Sequence, residues 1–173
     1  MKSIERIHVI LRMVQESPGI GKTAIMKCLY LMQTLSKVPL NYDFEIYTYG
    51  PYSSTVMDEI DCARQIGLID VKGVVYSAGF GYSIECSEHG KAVVNTSQIV
   101  SDYSAEIDAI VSEFGKKSAS ELELLSTILF VYNMCENKSE DNVCTIVRGI
   151  KPKFTIDEIQ DKYKYLQEKK HLH

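Results

Sequence analysis

The sequence contains no cysteine pair at disulfide- or metal-like spacing, no apolar run long enough to span a bilayer and no excess of positive charge. Its five cysteines (Cys28, Cys62, Cys86, Cys135 and Cys144) are scattered and odd in number. That usage argues against a disulfide framework or a zinc knuckle and for a reducing compartment. Histidines are few: His8 and His89 lie far apart, and His171 and His173 close the chain. No metal cluster and no cofactor are expected from them. The first sixteen residues carry a lysine at position 2, but an acid and an arginine break any apolar stretch, so neither a signal peptide nor a membrane span is expected. The expected location is cytoplasmic. A net charge of -4 gives no general pull toward nucleic acid or anionic lipid.

What is present is ordinary globular material. The 173 residues are 45% hydrophobic and 24% charged, enough for one compact domain or two small ones packed together. Ile4, Ile7, Leu11 and Val14 recur at helical spacing and predict an amphipathic helix over 3–16. Residues 22–36 leave almost no polar face, which marks a buried helix. An alternating run over 44–49 predicts a strand, with Phe44 and Ile46 on one face and Glu45, Tyr47 and Tyr49 on the other. Gly50-Pro51 is expected to turn the chain, and Ser53 or Ser54 to cap a helix running to Gln65. Two β-prone runs, 68–76 and 80–86, joined by Ser77-Ala78-Gly79, read as a hairpin.

A helix is expected to start at Ser87-Glu88-His89-Gly90. Val100, Tyr103, Ile107, Ile110 and Phe114 form a seam of about two heptads over 98–115, for packing within the chain or, in a minority reading, for a homodimer. Residues 120–135 again read as buried on nearly all sides, with Ser120 and Glu123 as a capping box. A short helix follows, ended by Lys151-Pro152. Thr155 and Glu158 form a second capping box, opening a last helix whose tail after Glu168 is expected to fray.

Helix, helix, helix and hairpin, in that order, is the order of a winged helix-turn-helix. The expected fold is therefore α+β and mostly helical: a winged-helix-like N-terminal half (1–95) with a β-hairpin wing, packed against a helical C-terminal half (96–173). Two stretches carry a resemblance. Tyr30-Leu31-Met32-Gln33, followed by Phe44-x-x-Tyr47-x-Tyr49-Gly50-Pro51-Tyr52-Ser53 and a helix ending in Gly67-Leu68-Ile69, resembles the YwgA-like family. Lys151-Pro152-Lys153-Phe154-Thr155 before the final helix is also YwgA-like. More distantly, the chain is similar to SocA-like (Panacea) antitoxin domains. That second resemblance implies binding of a toxin protein or its presentation to a protease, with no residue-level motif to transfer.

No residue set makes a catalytic site. Ser17-Pro18-Gly19-Ile20-Gly21-Lys22-Thr23 imitates a phosphate loop, but Glu16 stands where the first glycine is needed and a helix precedes it instead of a strand. Cys86 and His89 have no third orienting group. The carboxylates at Glu85, Glu88, Asp58, Glu59 and Asp61 fit solvated faces. Aromatics cluster at Tyr42, Phe44, Tyr47, Tyr49 and Tyr52: with Phe44 and Ile46 toward the core, the tyrosines either pave a half-buried surface or form a binding surface, since tyrosine gives large contact area at low entropic cost. On the third helix, with Val56, Ile60 and Ala63 inward, the outward face is read as Ser54, Asp58, Glu59, Asp61, Arg64 and Gln65. Three acids against one base would be repelled by phosphate. The leading expectation is a non-enzymatic module binding a protein partner, antitoxin-like or adaptor-like. Its surface is Tyr47, Tyr49, Tyr52, Asp58, Asp61, Arg64 and Gln65, shaped by Gly50, Pro51 and Ser53. The alternative is a winged-helix DNA-binding regulator.

Overall fold

Four apolar stretches of helical period dictate where the core sits. Ser3–Glu16 (α1) buries Ile7, Ile10, Leu11 and Val14. Lys22–Leu35 (α2) is buried along most of its length, as its lack of a polar face predicts. In the C-terminal half, Ala119–Met134 (α7) is sequestered on nearly every side, and Ile156–Glu168 (α9) covers it with Ile159, Tyr163 and Leu166. The computed structural model describes residues 1–76 and 79–172. Ser77 and Ala78 of the expected hairpin loop, and His173, lie outside the described residues.

Between α2 and the third helix the chain makes a small hairpin instead of a single strand. Glu45–Tyr47 (β1) pairs antiparallel with Gly50–Tyr52 (β2), so the turn falls at Thr48-Tyr49 and Gly50-Pro51 lies inside a strand. The reason is the close approach of β2 to α7. Gly50 has φ +87°, and a Cβ there would stand 2.9 Å from Thr127 Oγ1 and 3.3 Å from the Glu123 carbonyl. Only glycine satisfies both the backbone angle and the space. Ser54–Gln65 (α3) follows with Val56, Ile60 and Ala63 buried as expected. Ser53 holds the N-cap position, but its hydroxyl accepts no helix N–H; it is buried, and its own N–H points at Met26 Sδ, 3.3 Å away.

Ile69–Tyr76 (β3) and Gly79–Cys86 (β4) form the expected long hairpin, in register from Ile69↔Cys86 to Tyr76↔Gly79. Its base joins the core through Ile69 and Ile84, while Val75 and Phe80 farther out are exposed. The Ser17-Pro18-Gly19 turn leads into a backbone contact with the long hairpin. It docks on β4: the Gly19 N–H donates to the Ile84 carbonyl at 2.9 Å, and the Ile84 N–H donates to that of Ile20 at 3.1 Å. Glu88–Thr96 (α4) starts where expected, with Ser87 Oγ accepting from the Gly90 N–H.

The 98–115 seam is two helices, Gln98–Asp102 (α5) and Ser104–Phe114 (α6), broken at Tyr103. Val100, Ile107, Ile110 and Phe114 are buried within the chain, packed with α1 and α2. The first capping box of the C-terminal half is Ser118 with Glu121, not Ser120 with Glu123, because α7 begins two residues earlier than its apolar run. Glu140–Ile150 (α8) buries Val143, Cys144 and Val147, and Thr155 with Glu158 caps α9 as expected. The tail does not fray at Glu168: the His171 N–H donates to the Leu166 carbonyl and His171 Nε2 lies 3.0 Å from Glu113 Oε1. One buried cluster includes Leu11, Leu29, Phe114, Leu125 and Leu166, so the 1–95 and 96–173 halves share a core. No described helix is long and apolar enough to cross a membrane.

Candidate functional site

The tyrosines come first because the β1–β2 hairpin holds them out. Tyr47 and Tyr49 are 66% and 62% exposed, and Tyr52 is exposed on the same hairpin with its ring 5.6 Å from that of Tyr47. Their backbone is braced from below. Lys151, 4% exposed, donates from Nζ to the Tyr47 carbonyl at 2.9 Å and to that of Thr48. Lys27, buried in the middle of α2, donates to the Pro51 carbonyl at 2.6 Å. Glu123, 2% exposed on α7, sits between the lysines: Oε2 accepts from Lys153 Nζ at 2.7 Å. Its Oε1 lies 3.3 Å from Lys151 Nζ, an ion pair without an aligned hydrogen bond. Lys153 also stands over the Tyr49 ring at 5.8 Å. Arg148 donates to the Pro152 and Phe154 carbonyls, fixing the loop that carries both lysines.

These groups enclose an open cleft of about 490 Å³, walled by Ile46, Tyr47 and Tyr49 on one side and by Ile150, Pro152 and Lys153 on the other, with Glu123 and Lys151 in its floor. The two stretches that carry the YwgA-like resemblance, more than a hundred residues apart, meet here.

Burial drives the Lys27 ammonium down to about 8, with nearby Lys151 adding to the effect and Glu123 opposing it. The sign follows from linkage: between pH 8 and 10.5 the unfolded chain binds this proton and the folded chain does not, so stability rises with pH across that window. Above pH 9 buried Cys28 and Cys144, whose thiols are raised by desolvation to about 12 and about 11, work in the opposite direction. Comparison with Lys27→Met isolates the lysine. Wild type should gain up to ~3 kcal/mol on the variant between pH 8 and 10.5, read from urea unfolding midpoints; a pH-independent difference would remove the buried ammonium from the account.

The α3 residues form a separate patch. Asp58, Arg64 and Gln65 are exposed and Asp61 pairs with Lys22 Nζ at 3.1 Å, beside Tyr82 of β4. None of them lines the tyrosine cleft. Glu59 is the main correction. It is 3% exposed, bound to Arg6 at 2.6 Å, and accepts from Ser3 Oγ at 2.7 Å and the Tyr42 hydroxyl at 2.5 Å. Burial and this carboxylate hold the Tyr42 phenol far above its usual range, while the hydrogen bond to Glu59 raises Arg6. Without Glu59 the outer α3 patch has Asp58 and Asp61 against Arg64 and Lys22, a balance and not an acidic face. Lys27 is interior as well.

Sequence reasoning missed Glu123, Lys27 and Lys151 as a unit. A signal existed: a lone acid in a helix buried all round, and a lone base in another, require each other or a backbone acceptor.

The class defined by this architecture is a mostly helical α+β protein with two small antiparallel hairpins. No family model matches the chain. It is similar to the uncharacterized protein YwgA of Bacillus subtilis (strain 168), 26% identical over 168 residues that cover 95% of this chain and 97% of that one. This likeness supports the YwgA-like resemblance over nearly the full length.

Proposed function

We propose that this protein is a non-enzymatic interaction module that binds a protein partner through the cleft beside Tyr47 and Tyr49. The observation that carries the reading is the pairing of two exposed tyrosines with a rigid floor: Lys27, Lys151 and Glu123 hold the hairpin in place before any partner arrives. Large aromatic area on a preorganised frame is what interface hot spots use. The SocA-like resemblance adds an antitoxin-like or adaptor-like role as the finer form of this reading.

Capture of the partner from nuclease-treated native lysate tests it. Tyr47→Ala with Tyr49→Ala should lower retention of a stoichiometric protein at least tenfold while the melting temperature stays within a degree or two, since both rings are exposed. Undiminished capture would remove the cleft from the interface. Asp58→Lys should leave capture unchanged, because α3 contributes nothing to the cleft walls.

The second reading is a winged-helix DNA-binding regulator. The order α1, α2, α3, β3, β4 supports it, together with the bridge from Ile20, between the first two helices, to Ile84 of the wing. The burial of Glu59 removes the strongest charge objection to α3. In that case Asp58→Lys strengthens retardation of promoter DNA, and binding falls steeply with salt.

A further inference from the structure

Charge and backbone polarity at the tyrosine cleft specify the partner more closely than aromatic exposure does. Its walls and floor hold Lys151 and Lys153 against Glu123 alone, and Lys27 stands behind them. The excess is positive. Lys151 donates to two carbonyls and is ion-paired with Glu123, but Lys153, with a half-exposed side chain, has an ammonium that makes one hydrogen bond among the described residues, to Glu123 Oε2. The Tyr47 and Tyr49 hydroxyls carry no hydrogen bond among the described residues, so an incoming acceptor meets an ammonium and two phenols in one cleft.

The hairpin also offers a backbone edge. Ile46 stands opposite Pro51, which has no N–H, between the Glu45↔Tyr52 and Tyr47↔Gly50 pairs. In an antiparallel ladder the residue at such a position points its amide and carbonyl away from its partner strand. Neither backbone group of Ile46 carries a hydrogen bond among the described residues, and Ile46 lines the cleft. The other strand, β2, packs against α7 at Gly50.

We infer that the cleft takes an extended, acidic segment of a protein partner, which adds to the free edge of β1 at Ile46 and sets an Asp or Glu side chain against Lys153 between Tyr47 and Tyr49. Main-chain pairing gives such a mode its affinity and the flanking side chains its selectivity. A charged group at the rim selects sign more than it adds binding energy. The inference rests on the proposed interaction reading and adds the sign and conformation of the bound segment. It departs from the sequence expectation, in which the tyrosines share one surface with the acidic face of the third helix.

Fluorescence polarisation with the full chain tests it, using labelled eight-residue peptides of alternating Glu and Val, Gln and Val, and Lys and Val. The Glu peptide should bind at least tenfold more tightly than the Gln peptide, and the Lys peptide not measurably. Lys153→Glu should lower Glu-peptide affinity tenfold or more and Lys153→Arg should preserve it. Lys170→Glu, in a separate lysine-lined cleft near the C-terminus, should change nothing. Equal binding of the three peptides, loss with Lys170→Glu instead of Lys153→Glu, or tighter Lys153-dependent binding of a labelled single-stranded oligonucleotide would each overturn the inference. Should Lys153→Glu spare capture of the native partner while the double tyrosine variant abolishes it, the charge assignment fails and the interaction reading stands; should neither variant affect capture, both fall.

Discussion

Arg6→Ala is expected to lower folding stability by about 3–5 kcal/mol, the loss that follows when one member of a buried ion pair is left alone. Its guanidinium gives Glu59 two short hydrogen bonds, 2.6 Å from Nη2 and 2.9 Å from Nε, and lies 4.7 Å from the centre of the Tyr42 ring. Once it is gone, a carboxylate sealed between α1 and α3 keeps, among the described residues, only the Ser3 and Tyr42 hydroxyls as donors. Those cannot replace the lost charge. For a chain of this length the loss corresponds to a melting temperature lower by roughly 6–20 °C. Arg12→Ala is the internal control. Arg12 also pairs with acids, Asp108 at 3.0 Å and Glu16 at 2.8 Å, but at the surface with both carboxylates well exposed, where such pairs contribute about 0–1 kcal/mol. Urea unfolding of the two variants separates the cases, and similar losses would show that burial does not govern the Arg6–Glu59 contribution.

That pair also shows where the amino-acid sequence is legible and where it is not. Periodicity places α1, α2, α7 and α9, and the alternation of 68–86 places β3 and β4, because in each the apolar residues outnumber the choices of face. Glu59 defeats the same reasoning. By period it lies beside Ile60 at the edge of the α3 apolar stripe, and an acid at an edge reads as solvated. Its burial depends on Arg6, fifty-three residues away, a long-range match that no local pattern records. The β1–β2 hairpin is missed for a related reason. Gly50-Pro51 carries the usual turn signal, yet α7 needs a residue without a side chain at Gly50, and that tertiary demand moves the turn to Thr48-Tyr49. The clustering of Tyr47, Tyr49 and Tyr52 is legible in the sequence. Their neighbours are not, because Lys151 and Lys153 reach them only through the fold.

Lys151→Ala should have the other large effect, and of a different kind. The ammonium is buried with Glu123 and is the donor for two carbonyls at the tip of the β1–β2 hairpin. Removing it leaves Glu123 with Lys153 alone and strips both carbonyls of that donor. A stability loss of about 3–5 kcal/mol is expected by the same buried-pair argument, accompanied by faster amide exchange across residues 45–52 as the hairpin lifts from α7. Lys153→Ala removes a half-exposed partner of the same carboxylate and should cost about 1 kcal/mol or less. The contrast separates holding the cleft in shape from recognising what enters it. Lys151 is a positioning residue, so its loss should reduce stability and partner affinity together, and Lys151→Arg should recover little of either, since the planar guanidinium cannot reproduce the point-like reach to two adjacent carbonyls. If Lys151→Ala left the exchange of residues 45–52 unchanged, the hairpin would be rigid without its brace, and the preorganisation on which the binding role depends would have to come from Gly50 and Pro51 against α7 instead.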